Sequence, residues 1–129
     1  LWRDLRAALV RQLPVGEHEK GAQDTIGLTV LVVEDDPEAA CMLVENLLDA
    51  GCDVVGPIDN AEIAKVLVGL TDIDVALVDM NLSGRQTGAD LARDLKQAWG
   101  VPSIFLSGDV REVARNAEAS IGYLIKPYR

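Results

Sequence analysis

Carboxylates gather where a run of apolar residues stops. In "LVVEDDP" (31–37), Glu34, Asp35 and Asp36 follow one another at the mouth of the run. Their mutual repulsion is unfavourable and raises carboxyl pKa values unless a cation joins them. Asp36 has an ordinary explanation: it stands before Pro37 as a helix N-cap with proline at the first helical position, and Glu38 suits the helix dipole. Glu34 and Asp35 precede that cap and need another reason. Together with Asp79, which closes the apolar run "ALV", they form an oxygen-rich set of the kind Mg²⁺ prefers. Asp79, placed opposite Asp35, is a candidate carboxylate nucleophile. Lys126 after "GYLI" supplies an ammonium, and Ser107 after "IFL" a hydroxyl. Mg²⁺ and an ammonium would neutralise charge on an incoming phosphoryl group. Each residue also has a plainer reading: Asp79 as a turn residue before "MNLSG", Lys126 as a surface lysine, Ser107 as a strand-end turn residue. The four together are harder to assign to chance than any one.

These residues need elements that bring them to one place. "LTVLVV" is a short, β-branched apolar run, followed by a helix over Pro37 to Ala50 with Ala40, Leu43, Val44, Leu47 and Leu48 on one side and Gly51 at its C-terminal end. "DVVG" reads as a strand and Ala61 to Leu70 as a helix with Ile63, Val66, Leu67 and Leu70. "DVALVD" is a strand, Gly88 to Trp99 a helix with Leu91, Ala92 and Leu95, "PSIFLS" a strand, 109–118 a weak helix and "IGYLIK" the last strand. The order is βαβαβαβαβ, with strands apolar on both faces, which predicts a parallel sheet covered by helices on both sides. Function in such a sheet sits at the carboxyl ends of the strands. Glu34, Asp35, Asp79, Ser107 and Lys126 all fall there.

Upstream, Leu1, Leu5, Leu9 and Leu13 recur with Trp2 and Ala8 at helical spacing, predicting an amphipathic helix over 1–13 that Pro14 stops. "PVGEHEKGAQDTIG" reads as a linker. Two segments follow: 1–26, helix and linker, and 27–129, one α/β domain. The 129 residues suffice for a single domain with a core. The net charge of −9 lies wholly in 27–129, which disfavours nucleic acid as a partner because phosphates are repelled. No apolar stretch approaches the roughly 20 residues of a membrane span, and Leu1 to Leu13 lacks the apolar core of a signal peptide. Cys41 and Cys52 suggest neither a disulfide framework nor a metal pattern, as expected of thiols in a reducing cytoplasm.

"LVVEDDP", "ALVDMNLSG", "IFLSGD" and "GYLIKPY" together make residues 27–129 closely resemble the receiver domain of bacterial two-component response regulators, the chemotaxis-protein-Y-like fold. The resemblance implies a flavodoxin-like, doubly wound, five-stranded parallel sheet of order 2-1-3-4-5. It implies that Asp79 accepts a phosphoryl group from the phosphohistidine of a histidine kinase or histidine phosphotransfer protein. Asp35 and Asp79 would bind Mg²⁺ directly with the backbone carbonyl of Asn81, and Glu34 through water. Lys126 would contact the phosphoryl oxygens. Ser107 would swing toward the phosphate and Tyr123 turn inward with it. The Lys126–Pro127 peptide bond is often cis in the family. The resemblance thus implies a phosphoprotein switch in the bacterial cytoplasm and not a metabolic enzyme.

Several departures qualify that expectation. Ser83 stands where the family usually has proline. The stretch from Ser107 to Lys126 is short, so the fourth helix should be small or irregular. The sequence stops at Arg129, so the family's fifth helix is absent from it and an extra N-terminal helix is present. A sheet covered on both faces would then take helix 1–13 in or near the vacant place, within the chain or across a homodimer.

Two other classes compete. A magnesium-dependent phosphatase of haloacid-dehalogenase-like type uses the same aspartyl-phosphate chemistry. It needs an aspartate two residues after the nucleophile, where this chain has Asn81, which cannot transfer a proton at neutral pH. A flavodoxin-like nucleotide or flavin binder needs a Gly- or Ser/Thr-rich phosphate loop after the first strand, where this chain has acids.

Overall fold

The computed structural model describes Arg6, Ala7, Leu9 and residues 27–82 and 84–126. The remainder of the expected helix 1–13, the linker, Ser83 and the Lys126–Pro127 bond lie outside the described residues. Arg6, Ala7 and Leu9 are helical. Then follow β1 (Thr29–Val33), α1 (Pro37–Asp49), β2 (Asp53–Ile58), α2 (Ala61–Leu70), β3 (Val75–Asp79), α3 (Gly88–Trp99), β4 (Ser103–Ser107), α4 (Val110–Arg115), a 3₁₀ turn (Ala117–Ala119) and β5 (Gly122–Ile125). The five strands are parallel, in the order β2-β1-β3-β4-β5. None of the described helices is long and apolar enough to cross a membrane.

Local chemistry sets the helix ends. Asp36 accepts from the Glu38 N–H with Pro37 at the first helical position. Asn60 accepts from the Ile63 N–H to start α2, and Thr87 from the Asp90 N–H to start α3. α1 ends on Gly51 at φ 84°, where the Gly51 N–H reaches the Leu48 carbonyl and the Cys52 N–H the Leu47 carbonyl. This is the double closure that a left-handed residue permits.

Successive strand residues serve opposite faces. One face carries Val30, Val32, Val75, Leu77, Ile104, Leu106 and Leu124, joined by Leu43 and Leu47 of α1 and by Leu9. The other carries Leu31, Val33, Ala76 and Val78 against Ala61, Ala64 and Val68 of α2 and Leu91 and Leu95 of α3. Phe105 extends that second layer with Ala92, Val113 and Ala119.

Three expectations need correction. α2 turns its small side inward. Ala61 and Ala64 are buried while Ile63, Val66 and Leu70 are 46%, 59% and 79% exposed. The helix is apolar nearly all round, so periodicity does not select a face, and alanines let it approach the sheet more closely. In α1, Leu48 is exposed, not on the core side. Strand β2 runs past "DVVG" through Pro57 to Ile58, because the register with β1 shifts between Leu31 and Val33. Gly56 permits that shift at φ 103°, where a Cβ would stand 2.7 Å from the Val32 carbonyl oxygen. Gly56–Pro57 is the cis peptide bond among the described residues. The weak helix expected over 109–118 is α4 followed by the 3₁₀ turn.

Candidate functional site

Register brings the chemistry together. Val33 pairs with Val78, Asp79 with Leu106, and Ser107 with Ile125. Glu34, Asp79, Ser107 and Lys126 therefore leave the sheet within one residue of a common level. The ladder continues past the strands: the Glu34 N–H donates to the Ile58 carbonyl, Met80 N–H to Leu106, and Lys126 N–H to Ser107, at 2.9, 3.0 and 2.8 Å.

Lys126 Nζ lies 2.6 Å from Glu34 Oε1 and 3.2 Å from Asp79 Oδ2. Both carboxylates are buried, whereas Asp35 is exposed beside them. Ligand oxygens of Glu34, Asp35 and Asp79 lie within 4.8 Å of one another. The Asn81 N–H donates to Asp79 Oδ1 at 2.9 Å, and the Asp36 N–H to Glu34 Oε2 at 3.3 Å. Glu34 Oε1 is buried and faces the ammonium at 2.6 Å, its one charged partner among the described residues. Three carboxylates whose oxygens converge with a single ammonium between two of them are an all-oxygen donor set that fits a hard divalent cation.

The carboxylates divide the charge unevenly. Burial, and then the Asp79 carboxylate, push Glu34 up to about 7. Burial alone would raise Asp79 too. The Glu34 side chain, the Asn81 N–H and Lys126 together hold it below the usual range. Asp35 is raised by burial and by Asp79. Burial pulls Lys126 down, but Glu34 and Asp79 more than offset this and keep it above its ordinary value. Asp79, held below the usual carboxylate range, is ionised at neutral pH, as a nucleophile must be.

Ser107 is fully buried, and its hydroxyl is tied to Asp109: Oγ accepts from the Asp109 N–H at 3.0 Å and donates to the Asp109 carbonyl at 3.2 Å. Tyr123 is 49% exposed and points away from the buried layer that Leu124 enters. Asn81 is exposed in the turn after Asp79. An open cleft of about 440 Å³ borders the cluster between α1 and α2, with Glu34 and Asp35 on one wall and Pro57, Ile58 and Ile63 on the other.

One residue of the site escaped the sequence reading. Gly88 opens α3 with its N–H on the Met80 carbonyl, and a Cβ there would collide with the Asp79 carbonyl oxygen and sit 2.7 Å from Met80 Cα. Its lack of a side chain lets α3 press against the Asp79–Met80 backbone and fix the end of β3. The signal was a glycine directly after the capping residue Thr87, in a place where helix propensity alone disfavours it.

Comparison with known proteins agrees with this geometry. The family described as the response regulator receiver domain matches residues 30–129. The regulatory protein VirG of Agrobacterium tumefaciens (strain 15955) is 31% identical over 103 residues, covering 77% of this chain and 38% of VirG. The aerobic respiration control protein ArcA of Escherichia coli K12 is 33% identical over 102 residues, covering 77% of this chain and 42% of ArcA. The chain thus spans about two-fifths of the length of these relatives. Among solved structures, the signal receiver domain of a modulated diguanylate cyclase from Desulfovibrio desulfuricans G20 superposes with a TM-score of 0.73 at 36% identity, covering 80% of this chain and 84% of that one. The response regulator TrrA of Thermotoga maritima, solved in complex with Mg²⁺-BeF, shares the fold at a TM-score of 0.71 and 21% identity over 79% of this chain and 89% of its own. The sheet order, the acidic strand ends and the family match converge: this chain belongs to the response regulator receiver domains.

Proposed function

We propose that the chain is a phosphoacceptor switch in which Asp79 takes a phosphoryl group from the phosphohistidine of a histidine kinase or histidine phosphotransfer protein, in the cytoplasm. The observation that carries this is Asp79 itself: a buried carboxylate held in its charged form, with Lys126 Nζ at 3.2 Å. An Asp79 oxygen would attack phosphorus, forming the O–P bond as the P–N bond breaks. The imidazole leaves with the bonding pair and takes up a proton. Lys126 would hold the phosphoryl oxygens. Asp35, Asp79 and the Asn81 backbone carbonyl would hold Mg²⁺, with Glu34 acting through water. When bound, Mg²⁺ supplies positive charge against the negative charge that develops on those oxygens.

Asn81 offers no proton-transfer group to an attacking water, so the aspartyl phosphate would persist as a signal. The same residue disfavours the haloacid-dehalogenase-like phosphatase. Ser107 and Tyr123 would carry the change outward through β4 and β5. Incubation with acetyl phosphate and Mg²⁺ should raise the intact mass by one phosphoryl group in the unaltered chain and leave Asp79→Asn unchanged. A variant that still gained the label would overturn the assignment.

A further inference from the structure

The two faces of the sheet are covered in different ways. On the face of Phe105, α2 and α3 lie over β1 and β3, and α4 with the 3₁₀ turn continues over β4. On the opposite face, α1 packs on β1 and β2. Ile104, Leu106 and Leu124 of that same face are nevertheless 0%, 0% and 5% exposed. Apolar strand residues at the β4–β5 side are buried only if something lies on them, and on this face α1 packs chiefly on β1 and β2, with Leu43 and Leu47 at the edge of the same cluster. Leu9 is the one described residue of their buried cluster that belongs neither to the stretch 28–54 nor to β3, β4, β5 or the residue before β5. It is itself 0% exposed, and Arg6, Ala7 and Leu9 are helical.

We infer that the β3–β4–β5 face beside α1 is a helix-docking surface and that its occupant is the N-terminal segment of the same chain, with Leu9 as the anchor. The sequence around Leu9 fits such an occupant. Leucines and Trp2 recur at helical spacing on one side, and Arg3, Arg6 and Arg11 fall elsewhere. Ala7, two residues before the anchor, is exposed, as a residue on the outer side of a docked helix must be. The floor of the surface is apolar and continuous: Leu77, Ile104, Leu106 and Leu124 alternate with residues of the other face, so a single helix meets one unbroken stripe. The helical residues around Leu9 are then part of a layer of the receiver fold, and the folding unit begins upstream of the residues the family match covers.

The test uses the full chain with leucine and isoleucine methyls labelled. Leu9 should give nuclear Overhauser contacts to the methyls of Ile104, Leu106 or Leu124, and in a mixture of labelled and unlabelled chains those contacts should be intramolecular. Contacts confined to Leu43 and Leu47, or contacts only between copies, would overturn the inference. Leu9→Ala should lower Tm by about 10 °C, as a core leucine does, while the exposed-leucine control Leu48→Ala should move it by about 2 °C or less. Equal small shifts for both variants would also overturn it. If Leu9→Ala does not fold, the milder truncations Leu9→Val and Leu48→Val are compared instead; Leu9→Val should lower Tm by several degrees more than Leu48→Val, and equal shifts would overturn the inference.

Discussion

Two ion-pair networks stand on this domain, built from the same chemical groups and set in opposite surroundings. At the sheet edge, Lys126 serves two buried carboxylates, Glu34 and Asp79. On the surface beyond α3, Arg93 reaches Glu118 at 2.6 Å, Asp90 at 3.5 Å and the Asn116 amide oxygen at 2.8 Å, linking α3 to the 3₁₀ turn. The second network has more partners. Water can replace any of them. In the first, both acids are buried and compete for one cation. Evolutionary economy would favour an apolar edge there, since a buried ion pair is weak evidence for stability.

The contrast can be broken at several points. The largest effect should follow loss of the shared cation. Lys126→Ala leaves two buried carboxylates without an ammonium, and urea unfolding in metal-free buffer should reveal a loss of about 3 kcal/mol. Added Mg²⁺ should return part of it, because the remaining acids then share a different cation. An unaltered unfolding midpoint would mean that the cluster is no more strained than the surface network.

Acidity gives a second handle. Glu34 is raised from 4.5 to about 7 in the folded chain, so the folded state binds more protons than the unfolded state between those values. Stability in metal-free buffer should therefore fall as pH rises from about 4.5 to about 7, by on the order of 2–3 kcal/mol. Asp35 shifts in the same direction and adds to the slope. Asp79, lowered, works the other way only below its ordinary value, where stability is lost on further acidification. Lys126, raised, contributes stability that is lost only at strongly alkaline pH. Glu34→Gln should flatten the slope between pH 5 and 7, measured as the urea midpoint against pH; a slope that survives the substitution would assign it elsewhere.

The smallest effect should come from the surface network. Arg93→Ala is expected to move Tm by about 2 °C or less, and the difference should shrink further in high salt. A shift as large as that of Lys126→Ala would mean that Arg93 fastens the 3₁₀ turn far more firmly than its exposure suggests.

Much of the site was legible because topology converts sequence order into place. Once four apolar runs are read as parallel strands, Glu34, Asp79, Ser107 and Lys126 must emerge at the same edge. The caps at Asp36 and Gly51 were legible because their chemistry is local. What depended on three-dimensional fit was not. The inward face of α2 was decided by how closely alanines approach the sheet, which an all-apolar helix does not announce. The bend of β2 at Gly56–Pro57 and the collision that Gly88 avoids depend on atoms distant in sequence. Leu9 stands between the two: topology leads one to expect helix 1–13 on the uncovered sheet face, but which side chain anchors it depends on fit.

The Ser107 hydroxyl has a consequence that follows from counting protons. A hydroxyl has one to give. Here it goes to the Asp109 carbonyl, while the same oxygen takes the Asp109 N–H, and the Asp109 carboxylate in turn accepts the Arg111 N–H that starts α4. An acceptor arriving at the strand ends can have that proton only if the carbonyl gives it up. Were such an acceptor to bind, the two bonds would exclude each other, and the change would reach the residue that caps α4.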